Sequence, residues 1–304
     1  MKNYQHINFA FFGSSRFSVI VLDELERLSI IPTLIITTPD KPQGRKLIPK
    51  ANVVKTWALT KNIKVYDPAK IDDDFVGDLK NKYFDRLNKS ENASADFFDL
   101  FIVASYGKIL PEPLINLPSG KTLNIHPSLL PKYRGASPLQ SAMLDDAKNT
   151  GITIMRINEK MDQGPIVTQK EITVSKWPIY EEFEELMARE GAKLLASILS
   201  DWVSGKIEEK EQDHSLASYT RKITKEDGLI DFTKDAYLNF RKIQAYHEWP
   251  GSYFFIARAG KKLRVKISVA SFKDGKLLVE KVIPEGSKEM NYGDFVNGYK
   301  NQKS

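Results

Sequence analysis

Four short apolar runs, separated by longer amphipathic stretches, constrain the fold of the first half of this chain more than any other feature. Ile7 to Phe12, Leu34 to Thr37, Asp99 to Ala104 and Thr122 to Ile125 are near-continuous hydrophobic runs, as expected of strands buried on both faces of a sheet. After the first run, Phe17, Ile20, Val21, Leu25 and Leu28 recur at helical spacing behind a turn of Gly13, Ser14 and Ser15. Such alternation predicts an α/β domain with a doubly wound, Rossmann-like, mostly parallel sheet. The glycine turn lacks G-x-G-x-x-G spacing, which argues against dinucleotide binding.

A second domain follows from a change of pattern. Apolar positions from Tyr180 to Val203 keep helical spacing, with Gly205 placed as a C-terminal cap, and Lys206 to Ser215 is crowded with Glu and Lys. The expected division is a catalytic domain over 1–204, a solvated linker over 205–213 and a basic domain over 214–304. In the last, a helix over Thr233 to Tyr246 precedes alternating runs at Ser252 to Ala257, Leu263 to Ala270 and Lys276 to Val282, split by Gly260 and by Asp274 and Gly275. That pattern predicts a smaller β-barrel, OB-like. The polar stretch Asn81 to Asp96 reads as a surface excursion.

Charge sharpens the division. Residues 1–212 carry 28 Lys and Arg against 28 Asp and Glu, so residues 213–304, with 17 against 11, hold the whole net charge of +6. A neutral front and a basic back suggest that chemistry and capture of a polyanion are separated, although a basic tail also serves solubility. The absence of cysteine excludes thiol nucleophiles, thiolate metal sites and disulfides. No apolar run approaches the roughly 18 to 20 residues that span a bilayer, and a cytoplasmic protein is expected.

The chemistry concentrates in Leu123 to Gln140, L-N-I-H-P-S-L-L-P-K-Y-R-G-A-S-P-L-Q. A strand ends at His126, and Pro127, Pro131, Gly135 and Pro138 predict an extended, non-helical path. Asn124 and His126, two residues apart, share one face of that strand. An amide donor and an imidazole suit acyl transfer, the first holding an oxyanion and the second moving a proton, and the same pair also reads as a capping Asn beside a core His. Asp162, in the loop Met161 to Pro165, is placed to orient the imidazole, or is an Asx-turn residue. The loop Pro39 to Lys50 carries Lys41, Arg45, Lys46 and Lys50 among prolines and Gly44, a non-helical basic arm suited to phosphates.

Asn124 to Gln140, Met161 to Ile166, Thr38 to Arg45, Ala104 to Pro111 and the ending Pro284 to Tyr299, in this order, resemble the methionyl-tRNA formyltransferase family. The resemblance implies transfer of a formyl group from 10-formyltetrahydrofolate to the amino group of initiator methionyl-tRNA, without a metal, by a cytoplasmic monomer with no membrane association. It implies a triad of Asn124, His126 and Asp162. It places folate against Ser128, Leu129, Leu130 and Pro131, and against Ala104, Tyr106, Gly107, Ile109 and Leu110, and assigns Lys41, Arg45, Lys46 and Lys50 to tRNA. Pro127 and Pro165 stand where many relatives have a small residue and Asp. Formyl transfer to a small amine, an amino-sugar nucleotide or glycinamide ribonucleotide, is the alternative; related enzymes share the Asn, His and Asp set.

Overall fold

The computed structural model describes residues 7–43, 48–84, 98–258 and 261–300. They fall into two compact units: residues 1–134, 151–172 and 185–218 form the first, and 135–150, 173–184 and 219–304 the second.

The first unit is built on a seven-stranded sheet, in the order Lys64–Tyr66, Leu34–Ile36, Phe9–Phe12, Leu100–Val103, Thr122–His126, Asn149–Arg156 and Ile166–Thr173. The first five run parallel, and Asn149–Arg156 is antiparallel to Thr122–His126. From the central Phe9–Phe12 strand the order proceeds one way through Leu34–Ile36 and Lys64–Tyr66, then reverses to Leu100–Val103 on the other side. Such a reversal is a switch point, and ligands bind there, outside the carboxyl ends of the strands. Phe9–Phe12 and Leu100–Val103 are buried throughout, as their apolar runs predict. Phe12, Phe101 and Tyr106 meet edge-on or tilted within one core cluster that also holds Leu34, Ile36, Leu110 and Leu114.

The first helix, Arg16–Arg27, begins where Ser15 accepts from the Ser18 amide in a capping box. The helix Tyr180–Val203 has the bounds expected of it, and Gly205 takes a φ of +69°, as a C-terminal cap requires. One expectation is corrected. Pro138 does not continue an extended path but opens the helix Pro138–Leu144, because at a first helical position the missing N–H has no partner to lose.

In the second unit an antiparallel sheet takes the order Tyr253–Arg258, Lys261–Lys273, Lys276–Pro284 and Met290–Asn291. Asp274 and Gly275, both at positive φ, make the tight turn between its two longest strands, while Gly260 lies outside the described residues. Val265, Ile267 and Val282 from the sheet pack with Ile243 of the helix Ala236–Ala245. Segments 135–150 and 173–184 join this unit through Asp146, whose Oδ1 accepts from Trp177 Nε1 at 2.6 Å, Lys148 Nζ at 3.1 Å and the Tyr237 hydroxyl at 3.2 Å.

Candidate active site

The carboxyl edge of the parallel strands is fixed by side chain to backbone bonds. Ser18 Oγ donates to the carbonyl of Ala104 at 2.6 Å and Ser14 Oγ to that of Tyr106 at 3.0 Å, tying the first strand-to-helix turn to the loop after Leu100–Val103. A side chain at Gly13 would come within 2.7 Å of Phe11 and Ser18, so the turn admits only glycine.

At the end of the Thr122–His126 strand, Asn124 lies in register with Val103 on one side and Met155 on the other, and His126 opposite Thr153. The His126 side chain is 5% exposed and that of Asp162 15%. Nδ1 of His126 is 3.7 Å from Oδ1 of Asp162, and Nε2 is 3.0 Å from the carbonyl oxygen of Tyr133. Asp162 takes a left-handed backbone, φ +54°, a strained conformation for a non-glycine residue of the kind that gathers at functional sites. The amide of Gln212, from the expected linker, donates to the carbonyls of Asp162 at 2.9 Å and Gly164 at 2.7 Å.

The Ser128 to Pro131 segment is held just beyond His126. Ser128 Oγ donates to the carbonyl of Lys132 at 2.7 Å, Thr153 Oγ1 donates to the carbonyl of Ser128 at 2.7 Å, and the Leu130 amide donates to Thr153 Oγ1 at 3.1 Å. Gln169 Nε2 donates to the Leu130 carbonyl at 2.9 Å, and the bond to Pro131 is cis. Leu129 packs over Gly151, where a Cβ would lie 2.6 Å from Leu129 Cδ2. Of the second expected folate segment, Ala104, Tyr106 and Leu110 are buried, whereas Ile109 is 77% exposed. Burial pushes the Tyr106 phenol well above its ordinary range.

Tyr106 and Gly107 border a cavity of about 240 Å³ whose other walls are Ser14, Thr38, Pro39, Lys41, Lys50 and Asn52. The basic arm is a hairpin here, Lys41–Gln43 against Ile48–Lys50, with Lys41 directly opposite Lys50; Arg45 and Lys46 lie outside the described residues. Asn52 roots it, capping the helix Val53–Thr60 and donating to the Thr38 carbonyl at 2.7 Å. Burial, with the charge of Lys41 added, lowers the pKa of Lys108, whose ammonium donates to the carbonyls of Pro68 and Ala69. A larger cavity of about 540 Å³ lies between Tyr66, Asp67, Phe75 and Lys82. Neither cavity is lined by Asn124, His126 or Asp162, so neither of these two enclosed volumes marks the expected triad.

Sequence reasoning missed Arg134, Gln212, Thr153 and Gln169, which hold the backbone around the expected catalytic groups. None of the four left a local signal: Arg134 stands two residues from Lys132 in a proline-bounded stretch, and the others are ordinary polar residues whose partners are far off in sequence. Among the described residues no group of three or more His, Cys, Asp or Glu could hold a metal ion, and no helix is long and apolar enough to cross a membrane.

Comparison with known proteins finds relatives along most of the chain. A formyl transferase family model matches residues 7–199, and a model of the formyl transferase C-terminal domain matches 222–274. The methionyl-tRNA formyltransferase of Sulfurihydrogenibium sp. is 37% identical over 80% of this chain and 74% of its own. That of Dictyoglomus thermophilum is 34% identical over 95% of this chain and 96% of its own. In fold, the chain is similar to WlaRD, a sugar 3N-formyl transferase solved in the presence of dTDP and 5-N-formyl-THF, with a TM-score of 0.57 at 17% identity over 91% of this chain and 93% of that one. On the identity and coverage of its relatives, the chain belongs to the methionyl-tRNA formyltransferase family, and its reaction is formylation of the amino group of methionyl-tRNA.

Proposed function

We propose that the first unit transfers the formyl group of 10-formyltetrahydrofolate to initiator methionyl-tRNA through Asn124, His126 and Asp162. The observation that carries this reading is the 3.7 Å approach of His126 Nδ1 to Asp162, at the carboxyl end of the strand that also bears Asn124. A carbonyl only accepts, so Nε2 of His126 carries the hydrogen given to Tyr133, and Nδ1 is left to exchange a proton. The methionyl amine attacks the formyl carbon and a tetrahedral centre forms. Its negative oxygen takes hydrogen bonds from the Asn124 amide and from the protonated imidazole. Asp162 stabilises that imidazolium, and the proton lost by the attacking nitrogen passes to N10, the leaving group. Orientation of the two bound substrates supplies much of the remaining acceleration.

Folate lies against Ser128 to Pro131 and the Ala104 to Leu110 loop, beside the strand end. The similarity in fold to WlaRD, a protein solved with 5-N-formyl-THF present, supports a folate co-substrate. Lys41 and Lys50, with Arg45 and Lys46 between them in sequence, take phosphates of the acceptor end, and the basic residues 214–304 supply the wider field. All three proposed catalytic groups come from one unit of one chain, consistent with a monomer, and the enzyme is assigned to the cytoplasm.

The test presents 10-formyltetrahydrofolate with methionyl-tRNA, free methionine, glycinamide ribonucleotide or an amino-sugar nucleotide. Formylation of methionyl-tRNA alone is expected. Equal or faster formylation of a small amine would overturn the choice of acceptor.

A further inference from the structure

Asp162 owes its position to a clamp that reaches it from the segment between the two family-model matches, residues 200–221. Arg134 is 1% exposed and Gln212 5%. The guanidinium donates twice to Gln212 Oε1, from Nε at 3.2 Å and from Nη2 at 2.6 Å, and Nη2 also meets His214 Nδ1 at 2.8 Å. Because a guanidinium only donates, the Gln212 oxygen has to face it, and both amide hydrogens turn to the carbonyls of Asp162 and Gly164. A flipped amide would set donor against donor and oxygen against two oxygens, so this orientation is chemically enforced.

The connection closes on itself. Tyr133, next to Arg134 in the chain, accepts from His126 Nε2, and its own amide donates to Ser218 Oγ at 2.8 Å. The path from one imidazole nitrogen therefore runs through Tyr133, Arg134, Gln212 and Asp162 back to the other. Asp162 takes a left-handed backbone, and two amide hydrogens on peptide carbonyls of its loop hold that turn in place. These carbonyls belong to residues 162 and 164, either side of Gln163.

We propose that Gln212, locked by the buried Arg134, is a positioning residue that sets the Asp162 carboxylate against His126 for the proton-transfer step. The proposal rests on the triad reading above, and it assigns to the interdomain stretch a part in the chemistry in addition to joining two domains. The hydrogen bonds of Gln212 go to Arg134, Asp162 and Gly164, outside the segments placed against folate and the basic hairpin. Its loss therefore acts on turnover and leaves both substrate affinities alone.

The discriminating change is Gln212→Glu in the full-length chain. A carboxylate still accepts from Arg134, which keeps the buried guanidinium satisfied, yet it has no hydrogen for the two carbonyls. The expected result is a kcat lower by about 10- to 100-fold, the range typical of residues that orient a catalytic group. KM for methionyl-tRNA and for 10-formyltetrahydrofolate should stay within about twofold, while the melting temperature falls, since a buried oxygen then faces two carbonyl oxygens.

A double-mutant cycle separates this idea from the triad reading. In an Asp162→Ala background, Gln212→Glu should have no further effect on kcat. An unchanged kcat in the single variant, or a loss that persists at full size in the Asp162→Ala background, overturns the positioning role. So does a fall confined to KM or melting temperature. If Asp162→Ala itself keeps activity within a few-fold of the parent, the triad reading fails instead. Should the Glu variant not fold, Gln212→Met combined with Arg134→Met, which removes both the donor amide and the guanidinium that would lose its acceptor, is read on the same criteria.

Discussion

The imidazole of His126 gives its Nε2 hydrogen to the carbonyl oxygen of Tyr133 at 3.0 Å, so the ring is held by the main chain seven residues further on and presents Nδ1 toward Asp162. A ring so oriented has one nitrogen to work with. Replacing Asn124, His126 or Asp162 by Ala should each lower turnover by about 100- to 1,000-fold, the magnitude typical of a lost oxyanion donor or proton-transfer group. The three losses should not add, since the groups act on one transition state. Steady-state kinetics beside circular dichroism checks this, and a His126→Ala enzyme within a few-fold of the parent would refute the assignment.

Gly164 closes the loop that carries Asp162, and a Cβ built there would sit 1.8 Å from the carbonyl oxygen of Arg156. Backbone has to move to admit it. Gly164→Ala should lower stability by about 1 to 3 kcal/mol, as over-packing does, and lower kcat more than KM because the displaced loop bears the carboxylate. Thermal melting and kinetics on the same preparation test both halves; parental values for both would show that the loop yields without consequence.

Lys41 and Lys50 face one another across the hairpin, a like-charge pairing that is unfavourable until an anion lies between or beside the two ammonium groups. The double variant Lys41→Ala and Lys50→Ala should weaken methionyl-tRNA binding and flatten its dependence on salt, by a slope of about 0.7 to 0.9 for each phosphate contact removed. The KM for 10-formyltetrahydrofolate should barely move. An unchanged KM for methionyl-tRNA at two salt concentrations would reduce the hairpin to a solvated surface feature.

Acid should loosen the second unit through Asp146. Burial pushes this carboxyl up, but hydrogen bonds from Trp177 and Lys148, the Lys148 charge and the Tyr237 hydroxyl outweigh it and hold the carboxyl below its ordinary value of 3.8. A depressed folded pKa contributes stability that is present above the unfolded value and disappears as pH falls through the folded one. Asp146→Ala, which leaves the buried Trp177 indole N–H without its acceptor, should lower stability by about 1 to 3 kcal/mol at neutral pH. The gap between parent and variant should shrink below about pH 4. Urea titrations at pH 7 and pH 3, followed by tryptophan emission, measure it; a gap independent of pH would contradict the argument.

The strands of the first unit were legible because burial on both faces forces a run such as Phe9 to Phe12 or Leu100 to Val103 to be apolar throughout. Asn124 and His126 were legible because alternation along a strand is a local rule. Nothing local marks Gln212, fifty residues from the carbonyl of Asp162 that it binds, in a stretch crowded with Glu and Lys that reads as solvent-facing. The same holds for segments 135–150 and 173–184, which pack in the second unit although they lie inside the first in sequence, for Asp146 finds Trp177 thirty-one residues away. Local pattern locates elements, and the long-range polar bonds that decide where their ends go leave no periodicity.

The clamp on Asp162 also has a consequence in time. Synthesis proceeds from the amino end, so Asn124, His126, Asp162 and every strand of the seven-stranded sheet leave the ribosome before Gln212 does. A nascent chain can then complete its sheet while the carboxylate is still unclamped, and on this reading full turnover is the last capacity of the first unit to arrive. The loop that carries Asp162 thus waits for a partner made fifty residues later, in the stretch that joins the two family-model matches.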